Sequence, residues 1–192
     1  MARGKLSVAV AGMDDAMADI LCQLSMLVGR DPMEPLALGP MPGPAADFAA
    51  GRNVETDKKT ALENNVSLKL ARLEYNNTKN PNKYEAIAKQ RQAMRLKIDA
   101  SETEIGYKLS KLLKDEAACG RALEQAKAES ALAAKKLEGE EMKYEMGRIS
   151  KAALLTAQET AATAARAVKK AARDQFLAQV TYTQLVAGVD AS

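Results

Sequence analysis

The residue types that most often carry chemistry are scarce in this chain and far apart. Its 192 residues include no histidine and no tryptophan, so imidazole is missing as a base, a nucleophile or a metal ligand. The two cysteines, Cys22 and Cys119, stand alone, outside any CxxC pair, and are typical of small core residues. We therefore predict no enzymatic activity, no catalytic residue, no metal site and no cofactor.

The charged residues indicate solvated helix faces and not a binding site for nucleic acid. Lys and Arg number 28 against 25 Asp and Glu, and both signs are mixed along the chain. The densest acidic run, 138–141, and the densest basic group, 169–173, are each predicted to lie on an exposed helix surface. The isoelectric point near 8.8 is too mildly basic to favour a nucleic-acid partner.

The composition predicts an all-α protein. Hydrophobic residues make up 47% of the chain but aromatic residues only 4%, so the core must be built from Ala, Leu, Met and Val. Strands favour β-branched and aromatic residues, which the long segments lack. No segment reaches the ~18–20 apolar residues of a membrane span, and Asp14 and Asp15 follow the apolar run 6–13 too early for a convincing signal peptide.

Proline and glycine divide the chain into segments. Five of the six prolines lie between Gly29 and Gly51, which excludes regular helix there and predicts a connector over 30–56. Turns are predicted at 80–82 (Asn-Pro-Asn) and at 147–150, where Gly would reverse the chain and Ser would cap the next helix. The remaining segments are predicted helices at about 11–28, 57–78, 84–145 and 150–187.

The two longest predicted helices carry apolar and small residues at helical steps. In the third helix these residues are Met94, Ile98, Ile105, Leu109, Leu112, Cys119, Leu123, Ala126, Ser130, Ala133, Leu137 and Tyr144. In the fourth they form a heptad pattern, here called the seam: Leu154, Ala157, Ala161, Ala164, Val168, Ala171, Gln175, Ala178, Tyr182 and Leu185. Beside the seam runs a second stripe: Leu155, Ala162, Ala165, Ala172, Phe176 and Val186. Two adjacent stripes suit either the wide core face of a monomeric bundle or a helix in the wall of a larger ring.

Segment lengths predict how the helices pair. The third helix would be about 93 Å long at 1.5 Å per residue, and short turns join it at each end to the second and fourth helices. Both neighbours should therefore run antiparallel to it, end to end, and meet opposite residues 106–108. The predicted fold is an elongated all-α antiparallel coiled-coil hairpin, with one long helix packed against two shorter ones.

Three passages together resemble the TolC-like outer-membrane efflux proteins. Residues 143–158 (KYEMGRISKAALLTAQ) resemble that family's recurrent glycine turn and helix start, residues 61–74 (ALENNVSLKLARLE) the opening of a repeat, and residues 24–32 (LSMLVGRDP) the close of the preceding repeat. The resemblance implies three parts: a helix over 1–29 that ends a first repeat, the connector over 30–56, and a complete α-helical repeat over 57–192.

The resemblance also implies a function, which is a helical tunnel component of an efflux or export system. It places the chain in the cell envelope, in a homo-oligomeric ring (a trimer or a hexamer) with a periplasmic adaptor and an inner-membrane pump as partners. The adaptor-docking tip would comprise Met146, Gly147, Arg148, Ile149, Ser150 and Lys151.

Two departures from the family pattern keep another function open. Only residues 76–83 separate the second and third predicted helices, where typical family members insert two long β-strands, and the hairpin of the first repeat is missing. The alternative is a structural coiled-coil protein that associates with itself and has no transport activity of its own.

Overall fold

The computed structural model describes residues 2–34, 36–78 and 85–189, and the side chains of these residues from position 8 onward. These residues form five helices and no strand: α1 (Ala2–Leu27), α2 (Val54–Asn64), α3 (Val66–Asn77), α4 (Glu85–Glu145) and α5 (Lys151–Val186). The predicted all-α class is confirmed for this part of the chain. The predicted turn at 80–82 lies outside the described residues.

The chain divides into two compact units, residues 1–41 and 42–192. In the first unit, α1 begins nine residues before the predicted start. No proline lies between Ala2 and Val10 to break the helix. Residues at steps of three and four place an apolar face along α1. Met13, Met17 and Ile20 on this face are exposed to 68%, 60% and 63%. Within its own unit, α1 therefore carries apolar residues that remain largely uncovered.

The second predicted helix is interrupted, which corrects the continuous helix expected over 57–78. Asn53 starts α2 three residues early, because its side chain accepts the backbone N–H groups of Glu55 and Thr56. At Asn65 the backbone becomes extended, and the Asn65 side chain caps α3 by accepting the N–H of Leu68 at 2.8 Å. Asparagine competes with the helical backbone and is favoured at caps, which accounts for both boundaries.

The long helix α4 has 61 residues and rises about 92 Å. The helix α5 runs antiparallel to it after the turn at 146–150. The packing of the shorter helices corrects the end-to-end arrangement, because α2 lies beside the last turns of α5. Tyr182 donates to Asp57 at 2.8 Å, and the Asn64 amide donates to the Val186 carbonyl at 3.3 Å. Thus α2 and α5 lie side by side over their contact, whereas the sequence predicts that they meet end to end.

The core of this unit lies where α2, α3, α4 and α5 meet. Its buried residues, here called the base cluster, are Ala61, Leu68, Ile98, Ile105, Leu109, Tyr182 and Leu185. By contrast, no residue from 124 to 168 is buried, and all of them are described. We call this two-helix portion of α4 and α5, with its turn, the arm.

Candidate assembly surface and docking tip

The seam on α5 faces α4 along its whole length. All ten seam positions are buried or half-buried, as are all the predicted apolar positions on α4 except Tyr144, which is 39% exposed near the turn. In the arm, however, the seam residues are only half-buried, because a single neighbouring helix cannot enclose them. Three of the five seam residues of the arm are alanine, a side chain small enough to let two helices approach closely.

The second stripe on α5 changes character along the helix. In the arm, Leu155, Ala162 and Ala165 are exposed, and Leu155 retains 49% of its accessible surface. Farther along, Ala172 and Phe176 are half-buried, where the connector lies against α5. The stripe is thus covered within the unit near the base cluster and uncovered in the arm.

On the other side of the arm, an open groove of about 1100 Å³ runs between α4 and α5. Alanine and threonine, with Glu159, line its α5 wall. The α4 wall combines apolar and small residues with charged ones: Leu132, Ala133, Leu137 and Gly139 with Glu129, Lys136, Glu140 and Lys143. Leu132 is 54% exposed. Both flanks of the arm therefore present apolar atoms to solvent.

The tip reverses the chain by a turn built on glycine. Gly147 has φ of 71°, a conformation that only glycine adopts without a steric penalty. The N–H of Arg148 bonds to the Lys143 carbonyl at 2.8 Å and closes the end of α4. Ser150 then caps α5 by accepting the N–H of Ala153 at 3.2 Å.

The tip side chains are not equally presented. Met146 is 64% exposed, and Arg148, Ser150 and Lys151 are exposed as well. The sequence predicts that Ile149 also projects from the end of the hairpin, but Ile149 is half-buried. The exposed apolar residue of the tip is therefore Met146, with Arg148 beside it.

The predicted charged faces are solvated, as their sequence pattern indicates. In the acidic run, Glu140 pairs with Lys143 at 2.6 Å within α4. In the basic group, Arg173 pairs with Asp174 at 2.9 Å, and Lys169 and Lys170 are exposed. Exposed pairs of this kind contribute little to stability.

A buried polar layer crosses the α4–α5 seam and was not anticipated. Glu116 is 4% exposed, and one of its carboxylate oxygens accepts from the Gln175 and Gln179 amides at 3.0 and 2.9 Å. The predicted apolar pattern on α4 omits Glu116, because glutamate is usually a surface residue. Glu116 nevertheless lies one helical turn after Leu112 and continues that pattern. Gln175, in contrast, belongs to the predicted seam. A glutamine at a heptad position of the seam is the sequence feature that indicates a polar layer there.

The same layer holds the connector. Gln179 accepts the Ala45 N–H at 2.8 Å and donates to the Ala45 carbonyl at 3.0 Å, so one side chain satisfies both main-chain groups. Three residues on, Phe48 meets the Tyr182 ring edge-on at 5.7 Å between centroids. The Arg52 guanidinium lies 4.7 Å from the Phe48 centroid, within the range of a cation–π contact.

Tyr182 is fully buried beneath these connector residues. Burial and the hydrogen bond to Asp57 raise the pKa of Tyr182 to about 12, against an opposing effect of Arg52. Burial and the carboxylates of Asp174, Asp115 and Glu116 likewise raise the pKa of the Cys119 thiol. Both groups therefore stay protonated and neutral at ordinary pH.

In comparisons with known proteins, no protein-family model, no curated protein and no solved structure matches this chain significantly. Across the described residues, every helix is too short or too polar to cross a lipid bilayer. The same residues contain no group of three or more Cys, Asp or Glu side chains suited to hold a metal ion.

Proposed function

We propose that this chain is a subunit of a ring of helical hairpins that forms the tunnel of a TolC-like export system. In this proposal the arm builds the tunnel wall, and the tip docks a periplasmic adaptor that links the tunnel to an inner-membrane pump. The protein is then a passive conduit and assembly partner, and the transported substrate is handled by the pump.

One observation carries the proposal: the arm leaves its apolar surface uncovered on both flanks. Leu155, Ala162 and Ala165 face solvent on one side, and Leu132 faces the open groove on the other. A helix pair that is apolar on two opposite flanks can bury both only between two neighbours. Repetition of that contact in one direction closes a ring, because a heterologous interface with a closing rotation is cyclic.

The tip supports the docking part of the proposal. Its backbone is held by the Gly147 turn and the Ser150 cap, so Met146 and Arg148 are presented on a rigid reversal. A rigid, exposed methionine beside a cation suits an end-to-end contact with another helical turn, because methionine adapts its shape to a partner surface.

The oligomeric state tests the ring directly. We expect light scattering to give a trimer or a hexamer for the parent protein. Ala165→Glu should dissociate it, because a charge on the second stripe would be buried without a partner. Arg166→Glu places a carboxylate on an exposed position of α5 that lies in neither the second stripe nor the groove, and it should leave the oligomer intact. A parent protein that stays monomeric, or an oligomer indifferent to Ala165→Glu, would contradict the proposed wall.

Function at the tip requires a separate experiment. Arg148→Glu with Met146→Asp should preserve the oligomer and abolish both adaptor binding and efflux complementation in a host without its own tunnel protein. The pair Arg148→Glu with Ile149→Asp tests the tip as the sequence predicts it. If the parent protein forms oligomers but neither binds an adaptor nor complements, the alternative function is correct, which is a self-associating structural coiled coil without transport.

A further inference from the structure

The polar layer in the α4–α5 interface has a role that apolar packing cannot supply. The layer, Glu116 with Gln175 and Gln179, is the only part of this interface in which described buried residues are polar. On the arm side the seam residues of α5 are alanine, leucine and valine, and on the base side the buried residues include Ile105, Leu109 and Tyr182. Buried polar groups seldom add net stability, but they can select one packing arrangement over another.

The two stripes of α5 offer two alternative faces for packing against α4. The seam repeats alanine at heptad spacing, at Ala157, Ala164, Ala171 and Ala178, and the second stripe beside it is also rich in alanine. Rotation of α5 about its axis would exchange one row of methyl groups for another. In the arm, where no residue is buried, the free energy of apolar burial would change little, since it follows the area buried. At the base, the same rotation would also withdraw Tyr182 and Leu185 from the base cluster.

Only the observed rotation gives Glu116 its partners. Gln175 and Gln179 lie one helical turn apart on α5, and both amides reach the same Glu116 oxygen. Gly120 keeps the space open, because a Cβ built there would lie 3.1 Å from the Gln175 amide nitrogen. With the second stripe turned towards α4, the buried carboxylate would lose both hydrogen bonds at a large desolvation cost.

We propose that this polar layer specifies the packing of α5 and has two roles. It sets the rotation of α5 that presents the seam to α4, and through Gln179 it fastens the connector at Ala45. The inference does not rest on a transport function, since it concerns contacts within one chain.

Cross-linking to the native Cys119 on α4 reads out the rotation. In a Cys22→Ser background, a cysteine is introduced at Ala171 on the seam or at Ala172 on the second stripe. We expect the disulfide from position 171 to form at least about tenfold more than that from 172, which corresponds to a preference of about 1.4 kcal/mol. With Glu116, Gln175 and Gln179 all changed to leucine, we expect the ratio to fall towards one while helicity is retained. Glu116→Gln keeps a side-chain acceptor and should keep the ratio.

Limited proteolysis of a matched pair of single variants separates the two roles of the polar layer. Gln179→Leu should accelerate tryptic cleavage after Arg52 about tenfold, because the connector loses both of its hydrogen bonds to α5. Gln175→Leu makes the same change one turn away and should leave that cleavage unchanged. Cleavage after Arg148 in the exposed tip provides an internal reference.

Three outcomes would overturn the proposal. The first is an unchanged ratio of the 171 and 172 disulfides in the leucine triple variant. The second is equal cleavage after Arg52 in the Gln175 and Gln179 variants. The third is loss of helicity in both the triple variant and Glu116→Gln, which would assign the layer to stability alone. The proposal is supported if the triple variant stays helical, loses the preference for position 171 and exposes its connector.

Discussion

The base cluster and the arm use the same two helices in opposite ways. At the base, α4 and α5 are joined by α2, α3 and the connector, and residues such as Leu109 and Tyr182 are fully buried. In the arm the two helices stand alone, and no residue from 124 to 168 is buried. Burial of apolar surface is the main source of stability, so the base holds the unit together, whereas the arm leaves apolar surface exposed.

The largest expected effect concerns a matched pair of leucines on α4. Leu109→Ala leaves a cavity in the base cluster and should lower the free energy of unfolding by about 2–5 kcal/mol. Leu137→Ala, in the half-buried arm, should cost only about 1 kcal/mol because less surface is removed from contact. Denaturant unfolding of the monomeric form measures both. Equal losses would mean that the arm is as well packed as the base.

A second comparison concerns two glycines with positive φ. At the tip, a Cβ built on Gly147 meets no atom within 4 Å. Gly147→Ala therefore adds only backbone strain and should lower the free energy of unfolding by about 1–2 kcal/mol. Gly188 has φ of 85°, and a Cβ built there would lie 2.6 Å from the Asn64 carbonyl oxygen. Gly188→Ala should therefore cost about 2–4 kcal/mol, since overpacking adds to the strain. Thermal unfolding that ranks the two variants in the opposite order would contradict the close approach of α5 to α2.

The base cluster should also respond to alkaline pH. Since folding raises the pKa of Tyr182 from 10.0 to about 12, the folded state favours the protonated phenol. Stability from this group is complete below pH 10 and is lost as pH rises from 10 towards 12, by an amount of the order of 2 kcal/mol. Tyr182→Phe should lose less stability over the same range. Unfolding curves that respond identically to pH would indicate an ordinary, solvated tyrosine.

The smallest effect is expected at the tip. Arg148→Glu changes an exposed side chain and should shift the free energy of unfolding by less than about 0.5 kcal/mol. Its circular dichroism and melting curve should overlay those of the parent. A clear loss of stability would mean that Arg148 supports the turn itself, and the proposed docking role would then lose its basis in a rigid, independent tip.

Local sequence determined the two longest helices, α4 and α5, and the reversal at the tip. The proline-free pattern from Met94 to Leu137 predicts α4 almost to the residue, and the glycine and serine of the turn predict its left-handed backbone and its cap. These features depend on contacts within a few residues along the chain, so the sequence itself carries the information. The seam was predictable for the same reason, since its heptad spacing defines one face of α5.

Contacts distant in sequence decided the remainder. Asparagine favours a cap but can also continue a helix, and the structure places Asn65 as the cap between α2 and α3. Glu116 is buried because Gln175 and Gln179 reach it from 59 and 63 residues away, and Ala45 is held from 134 residues away. The energy of a buried polar group depends on its partner as well as on its own residue type. Helical periodicity therefore determined which residues share a face, and tertiary structure alone decided which of those faces meet and which polar residues lie between them.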